Sequence, residues 1–141
     1  MKASPSWWIK LGDFGQSKRA EGSNYHSVTG TRSYAAPEAL ETTNAESLDY
    51  TNAVDIWALG CIVYKLRTGR VLFPAAPYKR VIEERFKDGF YDFSKDSMKL
   101  SEAGTELLRL LLAVDPKKRP KAFVALQDQW LLNGILSKST A

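Results

Sequence analysis

Asp13 stands between Gly12 and Phe14-Gly15, directly after the apolar run Trp7-Trp8-Ile9-Lys10-Leu11. A short strand that ends in a glycine-flanked acid can present a carboxylate at its tip, because glycine lets the backbone turn sharply there. The same residues also suit an ordinary turn with a buried Phe14. Asp55 is the second acid that needs an explanation, since it sits in the run Ala53–Leu66, where the only other charged residue is Lys65 near the end. A carboxylate in such a helix either lies in the first turn and complements the helix dipole, or accepts hydrogen bonds from backbone amides of a neighbouring loop. Both accounts stand on this stretch alone. Glu38 follows Pro37, a pairing suited to the first turn of a short helix. His26 is the sole histidine and lies in a polar stretch, and Cys61 is the sole cysteine. No internal disulfide is therefore possible, and a reducing, intracellular setting is expected, cytoplasmic or nuclear.

These groups must be held by helices. Residues 52–68 carry apolar side chains on every side, the pattern of a helix in the middle of a core. Thr51 or Asn52 can cap its start, Gly69 can end it in a left-handed conformation, and Lys65 and Arg67 fall in its last turn. Residues 16–29 are polar and without periodicity, which predicts a loop. Residues 41–50 form a polar connection into the central helix. Val71-Leu72-Phe73-Pro74 reads as an apolar loop packed down on the core. After Pro77, Tyr78, Val81, Ile82 and Phe86 make an apolar stripe at helical spacing, which Gly89 ends. Phe90-Tyr91-Asp92-Phe93 reads as a packed turn. Ser101 can cap a helix whose buried face is Leu107, Leu108, Leu111 and Leu112. Pro116 to Pro120 stop it, and within this basic cluster only Arg119 is a candidate for burial. Ala122 to Trp130 reads as a final helix with Phe123, Leu126 and Trp130 turned inward.

With 141 residues, 44% of them apolar, the chain suffices for one modest domain with a real core. Its net charge of +4 comes from Lys and Arg interspersed with acids. No basic run with interleaved aromatics suggests a nucleic-acid groove, and no apolar run suits a signal peptide or a bilayer span. Neither nucleic acid nor membrane is expected as a partner.

Taken together, Asp13-Phe14-Gly15, Gly30-Thr31 with Tyr34, Ala36-Pro37-Glu38, Asp55-x-Trp57-x-x-Gly60 and Arg119 occur in the order and rough spacing of a eukaryotic protein kinase. The chain resembles the C-terminal lobe of a protein kinase of the Ser/Thr type, from the strand before Asp-Phe-Gly to the last helix. The resemblance implies a mainly α fold around the helix at 52–68, with short strands only near the N-terminus. It implies a partial kinase domain over residues 1–134 and a tail over 135–141. In such a kinase Asp13 holds the Mg²⁺ that bridges ATP phosphates, and Phe14 packs under a helix of the upper lobe. Thr31 and Tyr34 belong to the substrate-binding loop, and Ser27 and Thr29 are the activation-loop phosphorylation candidates. Glu38 pairs with buried Arg119. Asp55 accepts amides of the catalytic loop. Ile62 and Leu66 anchor the apolar stack below the adenine. Two positions depart from the family pattern: Gln16, where Leu is common, and Asp128-Gln129, where His-Pro often precedes the tryptophan.

The family's other catalytic parts have no counterpart in these residues. No G-x-G-x-x-G occurs among the nine glycines, and the residues before Asp13 contain neither acid nor histidine. The catalytic Asp of the His-Arg-Asp loop is thus absent from the chain. Two functions follow. In the first, this is a truncated portion of a protein Ser/Thr kinase, needing Mg²⁺ and ATP when complete, binding them poorly alone, and acting on protein substrates. In the second, it is a non-catalytic kinase-like module that docks a regulatory protein.

Overall fold

The computed structural model describes residues 10–14, 32–40, 51–74, 78–93 and 100–136. Helix α1 is Pro37–Leu40, α2 Ala53–Thr68, α3 Tyr78–Arg85, α4 Glu102–Leu111, α5 Ala122–Ala125 and α6 Gln129–Leu136. Single 3₁₀ turns lie at Arg32–Tyr34 and Pro116–Lys118. The fold is mostly helical, with one two-stranded sheet. Among the described residues no helix is long and apolar enough to cross a membrane.

The centre is α2. Thr51 Oγ1 accepts from the Ala53 N–H at 3.3 Å. At the other end Gly69 adopts φ 70° and its N–H closes on the Lys65 carbonyl, a left-handed cap that glycine adopts without a Cβ penalty. Ile56, Trp57, Gly60, Cys61 and Tyr64 are buried. They lie on one side of the helix, and α4 packs there. The crossing is close: a Cβ on Gly60 would lie 2.8 Å from Leu112 Cδ2 and 3.1 Å from Leu111 Cβ. Trp57 is fully buried and stacks on Phe73 (centroids 5.6 Å apart) and Phe86 (5.8 Å). Leu72 and Phe73 are packed down as the sequence predicts. Burying each such side chain contributes roughly 1.5–3 kcal/mol.

The other side of α2 departs from expectation. Asp55, Leu59, Ile62 and Leu66 recur at helical spacing along one stripe, and all are exposed, Leu66 at 79%. The helix is therefore covered on one side rather than held in the middle of a core, and Ile62 and Leu66 lie on its open side. The reason is geometric. α4, the aromatic stack and the 3₁₀ turns crowd the Trp57 side, and the all-round apolar pattern records a capacity for partners on the opposite face.

The strands also correct the expectation. They lie in mid-chain, β1 at Phe86–Lys87 and β2 at Phe90–Tyr91, antiparallel with Phe86 opposite Tyr91. Asp88 and Gly89 turn between them with φ 54° and 80°, the two left-handed residues that match a tight hairpin to strand twist. Phe86 is thus a strand residue, Gly89 a hairpin residue, and Phe90-Tyr91 a strand rather than a packed turn. Of the expected N-terminal strand, residues 7–9 lie outside the described residues and 10–11 form no strand.

α4 begins as predicted, with Ser101 Oγ accepting from the Gly104 N–H at 3.2 Å. The last helix divides in two. α5 ends at Ala125, its one buried residue, leaving Phe123 70% and Leu126 62% exposed rather than inward. Asp128 starts α6: its Oδ1 accepts from the Trp130 N–H at 2.8 Å and its carbonyl from Leu132. The acid at this unusual position is a helix cap. Trp130 does pack inward, its indole so close to α4 that a Cβ on Gly104 would lie 2.7 Å from Nε1. α6 runs from Gln129 to Leu136.

Cys61 is buried against Leu108 and Leu112 in the same core. Burial pushes its thiol up to about 12, against a weaker opposing pull from the Arg119 charge. The thiolate is the reactive form, so native Cys61 is expected to resist thiol reagents at pH 8 and to react only as the chain unfolds. The unfolded thiol ionises near 9.0 while the folded one holds its proton to about 12. Above pH 9 the unfolded state binds fewer protons, so this group lowers stability as pH rises through that window and leaves it unchanged below. Ellman's reagent followed at increasing urea measures the first effect, and unfolding midpoints of the chain and of Cys61→Ala at pH 7 and pH 10 measure the second.

Candidate functional site

The most complete polar constellation is built on Arg119. Asp115 fixes the approach, its carboxylate accepting from the Lys117 N–H at 2.9 Å to start the 3₁₀ turn Pro116–Lys118. Arg119 follows that turn in extended conformation and its side chain runs into the core. Nε donates to the Ala113 carbonyl at 2.8 Å. Nη1 donates to Glu38 Oε1 at 2.6 Å and to the Ala53 carbonyl at 2.9 Å. Nη2 donates to Glu38 Oε2 at 2.8 Å and to the Val114 carbonyl at 3.0 Å. These contacts use all the donors a guanidinium has. The Arg119 side chain is 0% exposed and that of Glu38 22%. The guanidinium carbon also lies 4.9 Å from the Trp57 ring centre, a cation–π contact in a desolvated place. One side chain thus ties α1, the start of α2 and the segment after α4. The sequence pointed to the Glu38–Arg119 pair. It carried no signal for the three carbonyls, which are brought in by backbone placement alone.

Pro37 is buried at the start of α1, where a residue without an N–H loses no hydrogen bond. Just before it, Tyr34 ends the 3₁₀ turn Arg32–Tyr34 half-buried, and its Oη accepts from Lys65 Nζ at 3.1 Å. The Lys65 contact was not foreseen, because the two residues are 31 apart in the chain.

Asp13 and Phe14 lie at the surface, Phe14 66% and nearby Leu11 86% exposed. Asp13 has φ 56°, a left-handed conformation that Asp tolerates better than most residues. Asp55 is exposed in the first turn of α2, where it complements the dipole, and no described donor meets its carboxylate. Trp57 and Gly60 are core residues, as above. Gly15, Ser27, Thr29 and Thr31 lie outside the described residues.

Among the described residues no cluster of three His, Cys, Asp or Glu side chains could hold a metal ion. Mg²⁺ is usually bound by one or two carboxylates together with substrate phosphates. Asp13 is a single exposed carboxylate with no second described ligand, so the described residues do not by themselves form a metal–nucleotide site. A cleft of about 360 Å³ between the hairpin and α4 is lined by Phe90, Phe93, Thr105 and Arg109 among others. Neither Asp13, Tyr34, Glu38, Asp55 nor Arg119 borders it.

A sequence model of the protein kinase domain matches residues 2–131. The serine/threonine-protein kinase cds1 of Schizosaccharomyces pombe is 34% identical over 126 residues, which cover 86% of this chain and 27% of that protein. The serine/threonine-protein kinase RAD53 of Saccharomyces cerevisiae is 28% identical over 132 residues, covering 87% of this chain and 16% of that protein. The chain therefore spans about a quarter or less of the length of these relatives. A crystal structure of the Rad53 kinase domain and SCD2 superposes with a TM-score of 0.54 at 32% identity, over 72% of this chain and 36% of that one.

Proposed function

The chain belongs to the protein kinase family, of the serine/threonine type, and from that premise we propose that it is the C-terminal, substrate-side lobe of a protein Ser/Thr kinase. Completed by a nucleotide-binding half, it transfers phosphate from ATP to protein substrates inside the cell. The observation that carries this reading is the contrast between the two faces of α2. One face is closed by the core and by the Arg119 constellation. The other leaves Leu59, Ile62 and Leu66 open to solvent, and the segment with Leu11, Asp13 and Phe14 is exposed as well. Open apolar surface of this kind marks a place where something docks, and the occupant proposed here is the rest of the kinase. Its catalytic loop would give Asp55 backbone donors that it does not have among the described residues.

In that enzyme Asp13 is the metal-holding acid, Thr31 and Tyr34 border the substrate, and Glu38–Arg119 holds this loop on the lobe. Phosphoryl transfer is mostly positioning and electrostatic stabilisation. The part supplied by these residues is the floor on which a substrate lies. Ser27 and Thr29 are the proposed activation-loop phosphorylation sites. A phosphate there orders a loop by pairing with cations, and Lys18 and Arg19 are near it in sequence.

The open apolar face of α2 also suits a second reading, a non-catalytic kinase-like module that docks a regulatory protein there. Both readings predict the same behaviour of the isolated chain. Purified residues 1–141 are expected to give no ATP-dependent phosphorylation of a generic Ser/Thr peptide and no thermal shift with Mg-ATP. Differential scanning fluorimetry and a radiolabel transfer assay measure these, and a Mg-ATP shift of several degrees would overturn the proposed division of labour.

A further inference from the structure

We propose that Lys65 makes this lobe select substrates with acidic side chains beside the phosphorylated Ser or Thr. The inference rests on the reading of Tyr34 as part of the substrate loop and goes on to name the substrate class. Lys65 is exposed in the last turn of α2. Its Nζ donates to Tyr34 Oη at 3.1 Å and lies 5.9 Å from the ring centre. This ties an ammonium to the loop that would border the substrate. An ammonium has three N–H donors, and one is used here. The Tyr34 oxygen is the acceptor in that bond, so its own O–H hydrogen is left to donate elsewhere. Among the described residues no carboxylate pairs with Lys65. Arg70, just past the helix end, is exposed as well. The helix C-terminus itself carries only about half a negative charge, which these cations outweigh.

The groups gathered at this spot are thus hydrogen-bond donors, and the charge is positive. A carboxylate matches both. A substrate lysine or arginine would meet like charge with no carboxylate to offset it among the described residues, a mismatch that costs affinity. Exposed ion pairs contribute modestly, so a preference of about fivefold for a Glu-flanked over a Lys-flanked peptide is expected.

The test uses the isotope-labelled 141-residue chain titrated with three Ser peptides of one sequence, flanked by Glu, Ala or Lys, and followed by NMR. The Glu peptide is expected to bind tightest and to shift the Tyr34 and Lys65 signals. Lys65→Gln should level the series and Lys65→Glu should reverse it. Lys117→Glu, the same charge change at another exposed side chain, should leave the order intact. If peptides shift Tyr34 but the order survives Lys65→Glu, or the Lys peptide binds tightest, the acidic preference is wrong and the substrate loop stands. If peptides shift other signals and not Tyr34, or shift none, the loop assignment fails and takes the inference with it.

Discussion

Replacing Arg119 by alanine is expected to destabilise the fold by about 3–5 kcal/mol, the usual cost of breaking a buried charge pair from one side. The geometry explains why the loss falls in this range. Removing the guanidinium leaves the Glu38 carboxylate without its two short partners and takes a donor from each of the carbonyls of Ala53, Ala113 and Val114. Unsatisfied buried acceptors each cost about 1–3 kcal/mol, partly recovered where water enters. The face of Trp57 loses its cation at the same time. Lysine cannot reproduce the fork, so Arg119→Lys should recover little of the loss. Glu38→Ala should cost less, because Glu38 is partly exposed and the guanidinium keeps its three carbonyls. Lys117 is exposed and joins no described ion pair, so Lys117→Ala should stay within about 0.5 kcal/mol of the parent. Urea unfolding of the four variants gives the order directly. Equal midpoints for Arg119→Ala and Lys117→Ala would remove Arg119 from the centre of the constellation.

Much of this fold was legible because local and global signals agree. α2 follows from an apolar run between a polar start and Gly69. α4 follows from Ser101 and from leucines spaced to bury one face. The Glu38–Arg119 pair joins residues 81 apart, and it was reached through the ordered motifs rather than through periodicity. The hairpin was missed because Phe86 continues the stripe of Tyr78, Val81 and Ile82, so helical spacing masked the stronger turn signal of Asp88-Gly89. The break between α5 and α6 was missed because Phe123, Leu126 and Trp130 also fit one helical face, whereas Asp128 caps a new helix within it. The sidedness of α2 lay beyond pattern reading, since apolar residues all round a helix say what it can bury and not what stands against it. Lys65 on Tyr34 was hidden for the related reason that sequence spacing does not report contacts between distant elements.

The most direct measurement of the central claim is phosphoryl transfer by this chain joined to the upstream half of a Ser/Thr kinase, with and without Asp13. Residues 1–141 alone should be silent. The joined protein should phosphorylate a Ser/Thr peptide. Asp13→Ala should then lower its rate by about a thousandfold or more, because the metal's charge stabilisation is worth several kcal/mol and each 1.36 kcal/mol is a factor of ten. Asp13 is exposed and no described hydrogen bond or ion pair includes its side chain, and Asn tolerates its φ of 56° as Asp does, so Asp13→Asn should lose the same activity and melt as the parent does, which separates lost chemistry from lost structure. Undiminished transfer by the joined Asp13→Ala protein, or transfer by the isolated chain that survives the same substitution, would contradict the assignment of this lobe and its acid.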